Sequence, residues 1–78
     1  MYGIKIYKVL REKLGGALGR AWPFKGIVEI SSELYGYKEK EVIEHELMHI
    51  KYPFLSEYEI RNKTKLKLLS LGITPSFH

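Results

Sequence analysis

The sequence contains no cysteine in 78 residues. Disulfides, thiolate zinc sites and iron–sulfur clusters are therefore excluded. A chain this short buries only about 60–65% of its unfolded surface and usually needs such a staple. What remains is a metal held by histidine and carboxylate, association with another chain, or unusually good packing. Aspartate and glutamine are also missing and there is one asparagine, against nine glutamates and ten lysines. Scarcity of heat-labile residues with enrichment in Lys and Glu fits a thermophilic origin. No run approaches the roughly 18 apolar residues needed to cross a bilayer, so no membrane partner is expected. The first fourteen residues, MYGIKIYKVLREKL, carry a charge every few positions and lack the apolar centre of a signal peptide. A cytoplasmic protein is the expectation.

What is present describes an ordinary globular chain: 45% hydrophobic and 28% charged residues. The length predicts a single domain over residues 1–78. Net charge is +4 and the pI about 9.4. The excess is carried by Lys8, Arg11, Lys13, Arg20 and Lys25, then by Arg61, Lys63, Lys65 and Lys67. A nucleic-acid partner is the secondary expectation, because solvated lysine faces are common and no nucleic-acid-binding signature accompanies these.

Ile4, Tyr7, Leu10 and Leu14 recur at helical spacing, which predicts a helix over residues 4–14 stopped by Gly15-Gly16. A strand is the alternative there, since Tyr2, Ile4 and Ile6 alternate. Pro23-Phe24-Lys25-Gly26 signals a turn, and residues 26–30 read as a strand that forms a hairpin with residues 18–22. Helices follow over about 38–51, ended by Pro53, and from Ser56 to about Leu71, ended by Gly72 and Pro75. The class is α+β: an N-terminal helix, a small sheet or hairpin, and two further helices. Trp22, Phe24, Tyr35 and Tyr37 are many aromatics for so small a core, so an oligomeric interface is possible.

Residues 45–49 read His45-Glu46-Leu47-Met48-His49, or H-E-x-x-H. On a helix, positions i and i+4 stand one turn apart on one side, so two imidazoles can hold one zinc ion. The Glu beside the first His can then take a proton from a water at the metal. Random placement of the same residues would produce the pattern about once in eighty such chains, and here it also falls on a predicted helix. The bland alternative makes both histidines ordinary core or surface residues. At about 100° per residue, His45 and His49 fall within roughly 40° of each other, beside Val42. Ile43, Leu47 and Ile50 form a separate apolar arc roughly 145° away. The histidines are thus not core members by pattern.

Zinc requires a third protein ligand and an open position. Glu57 and Glu59 are the candidates. Ser56-Glu57-Tyr58-Glu59 has the form of a capping box, which gives Glu59 a structural task. Glu57 shares a helical face with Ile60, Thr64, Leu68 and Leu71, the face expected to pack inward. The short turn over residues 52–55 makes the two helices antiparallel neighbours and brings Glu57 near His49. Glu57 is preferred over Glu59.

With these residues the chain resembles the gluzincin metallopeptidases, especially the very small archaeal minigluzincins. The resemblance covers residues 26–71: a strand, the H-E-x-x-H helix and a helix bearing a zinc-binding Glu. It implies a minimal zincin-like metallopeptidase domain in which His45, His49 and Glu57 bind Zn2+ and Glu46 is the general base and acid. It also implies a peptide or protein substrate lying along the strand at residues 26–30, by backbone pairing to its edge. Many gluzincins carry Ala and Asp three and four residues after the ligand Glu, where this chain has Ile60 and Arg61. The outer partner of a ligand histidine, which often sets metal affinity, is therefore not identified by the motif. Tyr52 and Tyr58 are the phenols nearest in sequence for an oxyanion, but packing is the more ordinary role for each and neither is chosen. The rival reading is a zinc-stabilised structural or regulatory module, with His78 as a conceivable fourth ligand and residues 74–78 as a cover for the cleft. Retention of Glu46 favours catalysis, because a structural site needs only its ligands.

Overall fold

The β-branched run Ile27-Val28-Glu29-Ile30 builds the centre of the molecule. In the computed structural model, which describes residues 3–74, it forms strand β3 (Ile27–Ser31) between β1 (Lys5–Val9) and β2 (Gly19–Trp22). β2 pairs antiparallel with β3, placing Gly19 opposite Ile30 and Trp22 opposite Ile27. The hairpin expected from the turn signal at residues 23–26 is present. Both Lys25 and Gly26 donate their amides to the Trp22 carbonyl at 3.0 Å, and Gly26 adopts φ +65°, a conformation glycine enters without cost.

β1 runs parallel to β3, with Ile6 opposite Val28 and Lys8 opposite Ile30. This corrects the helix expected over residues 4–14. Ile6, Tyr7 and Val9 are strand formers, and β3 offers them an unpaired backbone edge that outweighs the helical spacing. Only residues Arg11–Leu14 are helical, as one 3-10 turn closed by Gly15. The apparent stripe was never one face: Leu14 is buried, while Ile4, Tyr7 and Leu10 are exposed.

The long helices are α1 (Gly36–Lys51) and α2 (Glu57–Ser70). α1 lies over β2 and β3, and α2 packs against α1. Val28 and Ile30, both fully buried, meet Leu34 and Val42 in the core, with Leu18, Ile43, Leu47 and Ile50 packed around them. Along α2, Ile60, Thr64 and Leu68 are the buried stripe, as spacing predicted, but Leu71 lies exposed at the helix end. No helix among the described residues is long and apolar enough to cross a membrane.

Because β3 has neighbours on both sides, it presents no edge to a substrate strand. This overturns the expected docking line at residues 26–30. Among the described residues, β2 is the strand beside α1 whose outer edge pairs with no other strand.

Candidate metal centre and active site

α1 sets His45 and His49 one turn apart with their Nε2 atoms 3.2 Å from each other. Its last amide bond runs from Tyr52 to the Met48 carbonyl, and the chain turns at once into α2. Ser56 caps that helix as the sequence predicts. Its hydroxyl accepts from the Glu59 amide at 3.2 Å, and Glu59 Oε1 accepts from the Ser56 amide at 3.2 Å. Glu59 is thereby held in the cap, and Glu57, the first residue of α2, is the carboxylate brought to the histidines.

Glu57 Oε1 stands 2.9 Å from His49 Nε2, and Oε2 stands 2.8 Å from His45 Nε2. A tetrahedral ion with bonds of about 2.0–2.1 Å sets neighbouring donor atoms about 3.3 Å apart. The two imidazole nitrogens, 3.2 Å apart, match that figure, and one donor atom from each of the three residues lies within 4.8 Å of the others, so the set can close on a zinc-sized cation. The donor chemistry agrees. If each imidazole donated an Nε2–H to its own Glu57 oxygen, the two nitrogens would stand 3.2 Å apart as donors side by side, whereas a cation there lets every atom present a lone pair. Burial lowers the pKa of His45, aided by the charges of His49 and Arg61 and opposed by Glu57. That favours the neutral, ligating form.

Glu46 lies between the histidines in sequence and against β2 in space. Burial, and then the charge of Glu57, push its pKa up from 4.5 to about 7. A carboxyl poised there can both take and return a proton near neutrality. The strand passes close because residue 19 is glycine. A Cβ at Gly19 would sit 2.8 Å from Val42 Cγ1, 3.1 Å from Glu46 Cγ and 3.2 Å from Glu46 Oε2.

Two cavities flank this centre, and both are lined by Gly19, His45, Glu46 and Glu57. One, of about 340 Å³, extends past Leu18 toward Lys38 and Arg61. The other, of about 320 Å³, extends along Arg20 and Ala21 toward Pro23 and Pro53. Together they form a groove beside β2. The sequence reading missed Gly19 and Lys38; a glycine inside a strand pattern was the available sign of close backbone approach. Tyr52 and Tyr58 line neither cavity. The Tyr52 ring is covered by Lys63 at 4.6 Å, and Tyr58 is exposed. The fourth ligand and cover considered at His78 and over residues 74–78 fall, apart from Thr74, outside the described residues.

No family of proteins, no curated protein and no solved structure matches this chain.

Proposed function

We propose that the protein is a zinc metallopeptidase of gluzincin type. The observation that carries the reading is the convergence of His45, His49 and Glu57 at 2.8–3.2 Å beside the Glu46 carboxyl, in a groove open on both sides. His45, His49 and Glu57 would hold a zinc ion, which would supply Lewis acidity to a water, its pKa lowered toward about 7, and to the scissile carbonyl. Glu46 takes the proton of the attacking water and delivers it to the leaving amine nitrogen. The outer edge of β2 supplies backbone N–H and C=O groups that hold an extended peptide along the groove. Arg61, whose Nε lies 3.5 Å from Glu57 Oε2, pairs with the same carboxylate oxygen that faces His45.

A closed site serving stability alone would enclose its ligands. The Glu57 side chain is instead 54% exposed, which leaves room for water and substrate. The test is zinc content and peptide cleavage measured together on the wild type and on Glu46→Ala. Stoichiometric zinc in both, with cleavage lost only in the variant, is expected. Zinc without cleavage in either protein would give the site to the structural reading, and absence of zinc would remove the proposal.

A further inference from the structure

The chemistry above lies on the helix side of the sheet and leaves the opposite face without a task. A Cβ at Gly19 would meet Val42 and Glu46, so Arg20 and Trp22, one and three residues further along β2, point the other way. Val28 and Ile30 fill the core, which turns Ile27 and Glu29 to the same side as Arg20 and Trp22. The register adds Lys5 beside Ile27 and Tyr7 beside Glu29. Two rows result. Lys5, Ile27 and Trp22 form one, and Tyr7, Glu29 and Arg20 the next. Each row carries an aromatic ring on one outer strand and a cation on the other. Trp22 is 38% and Tyr7 46% exposed, a large area to leave in water in so small a protein.

The charges of this face are unmatched. Elsewhere Lys8 pairs with Glu39, Arg11 with Glu33 and Lys40 with Glu44. Among the described residues Lys5, Arg20 and Lys25 take part in no ion pair. Arg20 Cζ and the Nζ of Lys25, from the hairpin turn, stand instead 5.6 and 5.3 Å from the centre of the Trp22 ring. A ring attracts a cation through its quadrupole and neutralises none of its charge. Glu29 is the one acid in the two rows, and its Oε1 accepts from Trp22 Nε1 at 2.9 Å. That bond fixes the indole by its edge. The face thus complements a ligand with several negative charges and flat apolar surfaces between them. Strands about 4.8 Å apart with a rise of about 3.4 Å per residue put Tyr7 and Trp22 about 12 Å apart across β3, so two flat groups can stack without sharing a ring.

We propose that this face binds single-stranded nucleic acid, with bases stacked on Trp22 and Tyr7 and phosphates held by Lys5, Arg20 and Lys25. Unpaired bases present their flat faces to aromatic side chains, whereas a duplex keeps those faces inside its own stack and offers phosphates only. The binding requires neither zinc nor cleavage. Trp22 is the one tryptophan of the chain, so its fluorescence reports on the face directly. Oligothymidylate and oligouridylate of about twelve nucleotides, a duplex of the same length and a polyglutamate of equal charge are titrated into the wild-type protein. A single strand is expected to quench Trp22 and to bind at least about fivefold more tightly than the duplex or the polyglutamate. With three phosphates contacted, the logarithm of affinity should fall with the logarithm of salt at a slope of about −2. Anisotropy of a labelled strand then reads the variants, each established as folded by circular dichroism. Trp22→Leu and Tyr7→Leu should each lose about fivefold or more with the salt slope kept. Arg20→Gln and Lys5→Gln should lose severalfold and flatten the slope by about 0.7. Lys40→Gln, which removes the same charge from α1, should stay within about twofold of wild type. Binding by one of the two strands alone identifies DNA or RNA as the partner. Equal binding of the duplex overturns the proposal by reducing it to phosphate attraction, and equal binding of polyglutamate gives the face to an acidic protein. Absence of quenching, or a loss in Lys40→Gln as large as in Arg20→Gln, overturns it as well.

Discussion

Glu46 holds its proton to about pH 7 because the groove withdraws it from water beside Glu57. That preference has a cost in the metal-free protein. Between pH 4.5 and about 7 the folded chain binds more of this proton than the unfolded chain does. The Glu46 contribution is therefore intact below pH 4.5 and is lost as pH rises through about 7. A shift of this size corresponds to about 3 kcal/mol at full effect, and solvent reaching the groove lowers that to about 2. His45 acts oppositely, since a depressed histidine pKa removes stability as pH falls below the ordinary value of 6.5. Comparing variants isolates the carboxyl. In urea unfolding of metal-free protein, Glu46→Gln should gain about 2 kcal/mol over wild type at pH 8 and about nothing at pH 4. An equal difference at both values would mean that Glu46 is not held protonated. Gly19 is the matching steric constraint. Gly19→Ala places a methyl against Val42 and Glu46, at an expected cost of about 1–3 kcal/mol. Because Glu46 is the neighbour with room to move, peptide turnover should fall by more than zinc binding does.

Among the elements, the start of α2 carries the most function per residue. Ser56 and Glu59 cap the helix reciprocally, and Glu57 stands between them as its first residue. A cap that fixes the first turn therefore fixes the carboxylate facing the histidines. Ser56→Ala should cost about 1 kcal/mol of stability, and it should weaken zinc binding about tenfold as the first turn frays. Ser56→Asp, which restores an acceptor, should recover most of both. A loss of stability with zinc affinity unchanged would separate the cap from the site. This element was readable in advance because its signals are local: S-x-x-E, a buried stripe at Ile60, Thr64 and Leu68, and a short turn behind it. The H-E-x-x-H helix and the hairpin were legible for the same reason. The first strand was not. Residues Lys5–Val9 owe their conformation to β3, more than twenty residues ahead, and no local pattern carries that pairing. Parallel pairing of β1 closed the β3 edge that a substrate was expected to use and left β2 as the rim. Gly19 and Lys38 stayed unassigned because what they face is set by how β2 and α1 pack.

At the scale of the whole molecule, the ratio of inside to outside is unfavourable. Among the described residues seven hydrophobic side chains are buried, while thirteen large ones, including Phe24, Phe54, Tyr35 and Tyr37, are exposed. Helices cover one face of the sheet, and α1 and α2 are joined by a short turn with no disulfide to fix them. The proposed ion lies where that joint needs support, because its ligands come from the last two turns of α1 and the first residue of α2. Metal binding and folding should then be strongly coupled. Zinc at a hundred times its dissociation constant would add about 2.7 kcal/mol by mass action. In a domain this small each kcal/mol moves the melting midpoint by roughly 4–8 °C. Thermal melts should accordingly rise by about 10–20 °C from chelator-treated to zinc-saturated protein. The rise should grow with the logarithm of free zinc and vanish in His49→Ala and Glu57→Ala. Glu46→Ala should retain it, because Glu46 contributes a proton site and not a ligand. A midpoint indifferent to zinc and chelator would show that the α1–α2 joint holds without an ion, and the three converging side chains would then be a hydrogen-bonded cluster only.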